Sequence, residues 1–475
     1  LNKFVFIKEE MFMRNVIFVV VMLLLAFMFV SCEKESMIEV EKTQSLPDVQ
    51  QKAKTSDDAA LKSGPGLPFT LTDNYIVEFS GSVEQLSEAV SLLDGTVDEV
   101  FSEISLAKVT GLTNANAKLL SKVKSVKTVA RDISVQWIDP DANLVEEHIG
   151  ENESFWPYQW GPVAISAPQA WDAGYTGEGV RVAVIDGGIS SAHLDLDDNI
   201  DFNYSASFVP GMNFDEDTDD FRHASHVAGI IAAEDNNLGT IGIAPNATIV
   251  SVKVLDGGSG SFANIIQGIL YAAMEADADV INMSLGGYLP KNDDISHLKN
   301  ALIKALNYAN HLGVTVVASA GNDAIDMDHV GPWIHVPGDL EQAINVSATG
   351  PVDFAFGATN FDRPASYTNY GQRVIDFAAP GGDYVSLSDY WFYDMILSPS
   401  SVDAGGSWYG FAAGTSMATP HVAGVAALII EKTGGNLNPA QVEVLLKQSA
   451  DDLGKPGKDD YYGHGRVNAY KAVTQ

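Results

Sequence analysis

The chain is poor in cysteine, in positive charge and in long apolar runs. Cys32 is the only cysteine among 475 residues, so no intramolecular disulfide belongs to the fold. Lys and Arg number 28 against 62 Asp and Glu, a formal net charge of −34. That leaves too few cations to neutralise a phosphate backbone, which excludes nucleic acid as a partner. Beyond Val30 no run is apolar enough to cross a bilayer as a helix. With 46% apolar residues the chain can still build a sizeable core, and its length suits two or three domains.

The one long apolar run, Val16 to Val30, follows Met13-Arg14-Asn15 and reads as a signal peptide from an internal start, with the preceding residues untranslated. It ends in Val30-Ser31-Cys32. This resembles a bacterial lipobox, with Phe29 where Leu or Val is usual, and the resemblance implies acylation of Cys32. Residues 13–32 are then a lipoprotein signal peptide and 33–68, polar and broken by Gly64-Pro65-Gly66, a flexible tether. A lipid anchor would attach the precursor to the cell envelope, as an outer-membrane or other membrane lipoprotein, periplasmic or surface-exposed, without spanning the bilayer. The mature part is expected to be released or secreted.

Residues 69–138 alternate short strand and helix patterns: strand at Asn74 to Phe79, helix at Val83 to Leu93, strand character from Val100 to Val109, helix at Ala115 to Val123 and strand at Val126 to Val135. The order β-α-β-β-α-β predicts a small α+β domain of the split-βαβ kind, with one middle strand inferred. Residues 139–157 are acidic and aperiodic, an exposed connector and a natural cleavage site. Over 158–475, β-rich runs at Val180 to Ile185, Ala247 to Val254, Val280 to Met283, Val314 to Ser319 and Ile344 to Ala348 flank helical patterns at Phe262 to Glu275 and His297 to Leu312. This predicts an α/β domain, a doubly wound and mostly parallel sheet with helices on both faces, and ligand binding beyond the carboxyl ends of its strands.

Four polar residues stand at element ends. Gly414-Thr415-Ser416-Met417-Ala418 opens a buried helix, where Ser416 meets the first unpaired N–H groups and the positive end of the dipole. Asp186 closes the first strand of the domain, beside Gly187 and Gly188. His223 starts a small-residue helix, His223-Ala224-Ser225-His226. Asn322 follows another strand in Ala320-Gly321-Asn322. A serine hydroxyl is a poor nucleophile at neutral pH, so it needs a base within reach, a fixed tautomer on that base and donors waiting for the oxyanion. The segment Ser284-Leu285-Gly286-Gly287 leaves an accessible edge along which an extended peptide could pair.

In the order Asp, His, Asn, Ser, these segments resemble the subtilisin-like serine proteases over roughly Trp160 to Val473. The resemblance implies a serine endopeptidase acting through an acyl-enzyme on Ser416, with His223 as base and then acid and Asp186 orienting the imidazole. Asn322 and the Ser416 N–H would form the oxyanion hole. It also implies that 69–138 is an inhibitory propeptide, the chain's own intramolecular partner, cut away between Gln136 and Tyr158. His335 would lie near the floor of the primary side-chain pocket and disfavour large apolar groups. Where the family has His-Gly-Thr-His, this chain has Ala224 and Ser225, which predicts altered rate or specificity. A structural Ca²⁺ site is implied, with side-chain oxygens from Asp195 and Asn236 and carbonyls of Glu234, Leu238 and Thr240; Trp156 stands where the family has a Gln ligand. The acidic run Asp215 to Asp220 reads chiefly as a solvated rim. From a different class, the competing reading is a catalytically dead, lipid-anchored calcium- or peptide-binding protein on a protease scaffold.

Overall fold

The computed structural model describes residues 69–138, 155–219, 222–291, 293–403 and 406–475. The signal peptide with Cys32, the tether and residues 139–154 of the connector lie outside them.

The small domain runs β1 (Phe69–Phe79), α1 (Val83–Ser91), β2 (Thr96–Phe101), β3 (Leu106–Thr110), α2 (Asn114–Leu120) and β4 (Val126–Gln136). The inferred middle strand is thus β2. Ser82 starts α1 with a reciprocal capping box to Gln85, and Thr113 caps α2. Val77, Leu86, Val90, Val109 and Leu120 form a core of the domain's own. The strand order is β2-β3-β1-β4, and a further strand from the larger domain, β8 (Ser259–Ser261), joins beside β4.

In the larger domain a seven-stranded sheet is ordered β14-β13-β11-β9-β5-β7-β6, from Phe377–Pro380, Ile344–Thr349, Thr315–Ser319, Val280–Met283, Arg181–Asp186, Thr248–Lys253 and Ala206–Ser207. All of its strand pairs are parallel. The central strands are buried almost throughout and mostly apolar, as burial on both faces requires, with polar residues such as Asp186 and Ser319 at their carboxyl ends. One layer holds α3 (His223–Ala232) and the later helix Thr415–Thr433. The other holds α4 (Phe262–Met274) and α5 (Asp293–His311), which also pack on β4 of the small domain. The helix Thr415–Thr433, α6, is buried all round from Met417 to Ile430, and its small residues let α3 and the sheet approach closely. Two further strand pairs border the sheet: β10 (Gly287–Pro290) with β12 (Trp333–Val336), and the hairpin β15 (Ile396–Asp403) with β16 (Gly406–Ala412).

Candidate active site

Asp186 ends β5 and is buried; the Gly187 N–H donates to its Oδ1 at 2.6 Å. His223, also buried, is the first residue of α3 and directs Nδ1 at the Asp186 carboxylate, 2.9 Å from Oδ2 and 3.1 Å from Oδ1. A carboxylate only accepts, so Nδ1 is the protonated nitrogen and Nε2 of the neutral ring carries a lone pair. Burial opposes charge on this imidazole, but Asp186, by charge and hydrogen bond, and Asp219 outweigh it, and its pKa stands above that of an ordinary histidine.

Ser416 is the second residue of α6, half-buried, and α6 packs directly on α3. Its hydroxyl donates to the Ser284 carbonyl at 3.0 Å, while the Ser284 hydroxyl donates back to the Ser416 carbonyl at 2.7 Å. The turn before it, at Gly414, is tied to Asn322. Asn322 Oδ1 accepts the Thr415 N–H at 2.9 Å and the Thr415 hydroxyl at 2.8 Å, and Thr415 Oγ1 accepts the Gly321 N–H at 3.1 Å. With the amide oxygen so engaged, the Asn322 NH₂ faces the other way, at an exposed position. The sequence reading missed Thr415 as the residue that orients this amide; its only signal was its place between Gly414 and Ser416.

The cleft beside Ser416 has two backbone edges. Ser284-Leu285-Gly286 is the expected one; the opposite edge, Gly258-Ser259-Gly260, went unread although its glycines mark it. The end of the small domain lies between them. Gln136 pairs antiparallel with Ser259 and Val135 with Gly260. The Trp137 N–H donates to the Gly258 carbonyl at 2.9 Å, and the Gly286 N–H donates to the Trp137 carbonyl at 3.0 Å. The Trp137 ring lies tilted against Phe262, with centroids 5.1 Å apart, and its indole N–H donates to the Gly260 carbonyl at 2.8 Å. Burying such a side chain is worth roughly 2–3 kcal/mol.

His335, on β12, is buried under this cleft. A Cβ on Gly286 would come within 2.2 Å of its ring, which also meets Tyr288 edge-on at 5.1 Å. Burial pushes its pKa down to about 4, so the ring is neutral at neutral pH.

Comparison with known proteins decides the class. A sequence model of the subtilase family matches residues 177–465. The chain is 36% identical over 406 residues to subtilisin NAT of Bacillus subtilis subsp. natto, covering 84% of this chain and 90% of that protein. Thermitase of Thermoactinomyces vulgaris is 37% identical over 321 residues, covering 66% of this chain and 95% of thermitase. Among solved structures, the epidermin leader peptide processing serine protease of Staphylococcus aureus superposes with a TM-score of 0.69 at 26% identity, covering 84% of this chain and 97% of that one.

The chain belongs to the subtilase family. It is a serine-type peptidase, and its substrates are proteins or peptides.

Of the expected cation ligands of this subtilase, Thr240 and Glu234 contact Asp195 directly, Glu234 through its N–H to the Asp195 carbonyl at 3.0 Å. The Asp195 side chain is fully buried; its Oδ2 accepts the Thr240 N–H and hydroxyl, each at 2.9 Å, the Tyr409 hydroxyl also interacts with the carboxyl, and Oδ1 takes no donor at hydrogen-bond geometry among the described residues. Asn236 donates to the Leu194 carbonyl and to Glu234, and its Oδ1 accepts the Leu238 N–H at 2.8 Å. An orphaned buried carboxylate oxygen within an all-oxygen loop fits a hard cation. Among the described residues no three His, Cys, Asp or Glu side chains cluster as metal ligands, so carbonyls would have to complete such a shell. Gln159, near Trp156 in the sequence, has its amide engaged with Ile241, accepting its N–H and donating to its carbonyl.

The acidic run departs from expectation. Asp215 and Glu216 are exposed, but Asp217 is buried at 8% exposure, and Asp219 accepts the His223 backbone N–H at 2.8 Å.

Proposed function

We propose that this subtilase is an endopeptidase made as a self-inhibited, exported precursor, in which Ser416 attacks the peptide carbonyl and residues 69–138 act as inhibitory propeptide. The observation that carries the reading is the small domain's own last strand, bound along both edges of the cleft next to the Ser284 carbonyl that holds Ser416. A peptide substrate would bind in the same way, as an added strand.

For reaction, the Ser416 proton turns from the Ser284 carbonyl to His223 Nε2 as Oγ attacks. The Asp186 carboxylate keeps Nδ1 protonated and stabilises the imidazolium that forms. The oxyanion is met by the Ser416 N–H at the start of α6 and by the Asn322 NH₂, already aimed because Thr415 holds its oxygen. His223 then gives its proton to the leaving amine. A water activated by the same imidazole frees the acyl group. His335 closes the pocket beneath Gly286 and favours small side chains there.

Asp195, Asn236 and the carbonyls of Glu234, Leu238 and Thr240 would hold Ca²⁺, whose charge would neutralise the buried carboxylate and fix the loop. Acylation of Cys32 would tether the precursor to the envelope, and cutting between Gln136 and Tyr158 would separate the catalytic domain from that anchor. The test is Ser416→Ala: the full-length precursor accumulates intact. Normal processing of that variant would mean that another protease does the cutting.

A further inference from the structure

A pocket of about 340 Å³ opens on the larger domain, and none of its lining residues belongs to the cleft. Tyr158, Phe354, Phe356, Tyr390 and Tyr393 supply its walls; no lysine, arginine or carboxylate lines it. Tyr390, Tyr393 and Tyr158 form a row of nearly parallel rings, with successive centroids 6.3 and 5.2 Å apart and planes 29° and 23° apart. Phe356 stands across the end of that row, at 75° to Tyr390 with centroids 6.0 Å apart. Phe356 is 65% exposed and Tyr390 53%. A contiguous aromatic patch left in water marks a binding surface, as a single scattered ring does not.

A buried acid fixes one wall against the other. Asp394 accepts the Asp353 N–H at 2.9 Å and the Phe354 N–H at 2.7 Å, which ties the segment carrying Phe354 and Phe356 to the one carrying Tyr390 and Tyr393. The pocket is thus formed before a ligand arrives, and little ordering cost opposes binding. The same loop is joined to the catalytic turn. Its ends meet where the Asp383 N–H donates to the Asp394 carbonyl at 3.2 Å, and two residues earlier the Gly381 carbonyl accepts the Gly414 N–H at 2.9 Å.

The lining selects a cation. Aromatic faces are electron-rich, and walls meeting at a steep angle let one compact positive group lie against more than one ring. Tyrosine hydroxyls are the only polar side-chain atoms of the lining, too few to read the hydroxyls of a sugar. Asp353 and Asp389, each next in sequence to a wall residue, are exposed. The connector 139–154, which leads into Pro157 at the pocket, holds six Asp and Glu and no Lys or Arg, so it adds to the negative field of a chain of net charge −34 and offers no cation of its own.

We propose that this pocket is a second substrate-binding site, outside the cleft, that takes an arginine side chain of a protein substrate. The proposal rests on the chain being a peptidase. A guanidinium is planar and weakly hydrated, so it stacks on a ring face at low desolvation cost, and a tyrosine hydroxyl can accept from its N–H groups. A substrate held here and at Ser416 together dissociates more slowly, which lowers KM and leaves kcat alone.

The full chain carrying Ser416→Ala, with its own strand in the cleft, tests the pocket without catalysis. By NMR of ring-labelled tyrosine, the Tyr390 resonance, assigned by its loss in Tyr390→Leu, should move on titration with N-acetylarginine amide and at least about threefold less with the citrulline amide, which has the same shape and no charge. No movement, or equal movement with citrulline, overturns the proposal whether or not the chain is a peptidase. On the processed enzyme, substrates share one cleavable segment, joined on either side through Gly-Ser linkers of roughly 4 to 16 residues to arginine or to citrulline. The best arginine substrate should have a KM about threefold to tenfold below its citrulline twin, the size of a partly exposed cation–π contact. That ratio should fall to about one in the double variant Phe356→Leu, Tyr390→Leu. A ratio that survives the double variant would assign the preference to the overall charge of the chain, and a KM indifferent to arginine at every linker length would separate the pocket from the substrate; either result overturns the proposal.

Discussion

Asn322 receives both the N–H and the hydroxyl of Thr415 on a single amide oxygen, at 2.9 and 2.8 Å, across 93 residues of chain. One threonine therefore determines which end of the amide faces the cleft. In subtilisin, loss of the corresponding Asn donor costs about 10²–10³ in kcat, and that figure is carried over for Asn322→Ala here. Thr415→Val keeps the shape and the N–H but removes the hydroxyl. It should lower kcat about threefold to tenfold with KM unchanged, the effect of weakening one of two bonds that aim the donor. Steady-state kinetics on a peptide ester and a peptide amide check both variants.

The pH dependence follows from Asp186 and Asp219. Both raise the pKa of His223, and the base must be neutral to accept the serine proton, so activity is lost as pH falls through this raised pKa. Asp219→Asn removes one raising charge. The acid limb of kcat/KM should therefore move to lower pH and extend activity into more acidic buffer. An unmoved limb would show that Asp219 does not act on the imidazole.

Trp137 anchors the small domain in the cleft. Trp137→Ala loses the Phe262 contact and the indole bond to Gly260, and should weaken inhibition by roughly 10²-fold, as hot-spot tryptophans do. The readout is residual activity of the processed enzyme titrated with the 69–138 domain, which carries its own core.

Cation binding at Asp195 predicts that a chelator lowers the thermal midpoint of the processed domain, and that Asp195→Asn abolishes this response. A midpoint indifferent to chelator would remove the site from the account.

His335 fills the space under Gly286. His335→Gly should raise kcat/KM for substrates with a large apolar side chain before the cut bond, relative to alanine, by tenfold or more.

The sheet and the four polar element ends were legible because each rests on local signals. Parallel strands buried on both faces read as short apolar runs, and glycines mark the turns at Asp186, Asn322 and Ser416. The strand Thr96–Phe101 was not, because an irregularity between Val97 and Glu99 breaks its alternation. The hairpin Ile396–Ala412 was missed too; its serines and glycines carry no strand signature. Asp217 looked like one of five solvated acids in a six-residue run, and only the packing of the loop on α3 and on Gly187 and Gly188 buries it. Thr415 acts through Asn322, a partner far away in the chain that no local pattern reveals.

The central claim is that His223, held by Asp186, makes the Ser416 hydroxyl nucleophilic. Its most direct test is mass spectrometry after treating the processed protein with a serine-directed phosphonate. The account predicts a single adduct on the peptide containing Ser416, and none in His223→Ala of the same fold. An unlabelled wild-type protein, or an adduct on another serine, would contradict it.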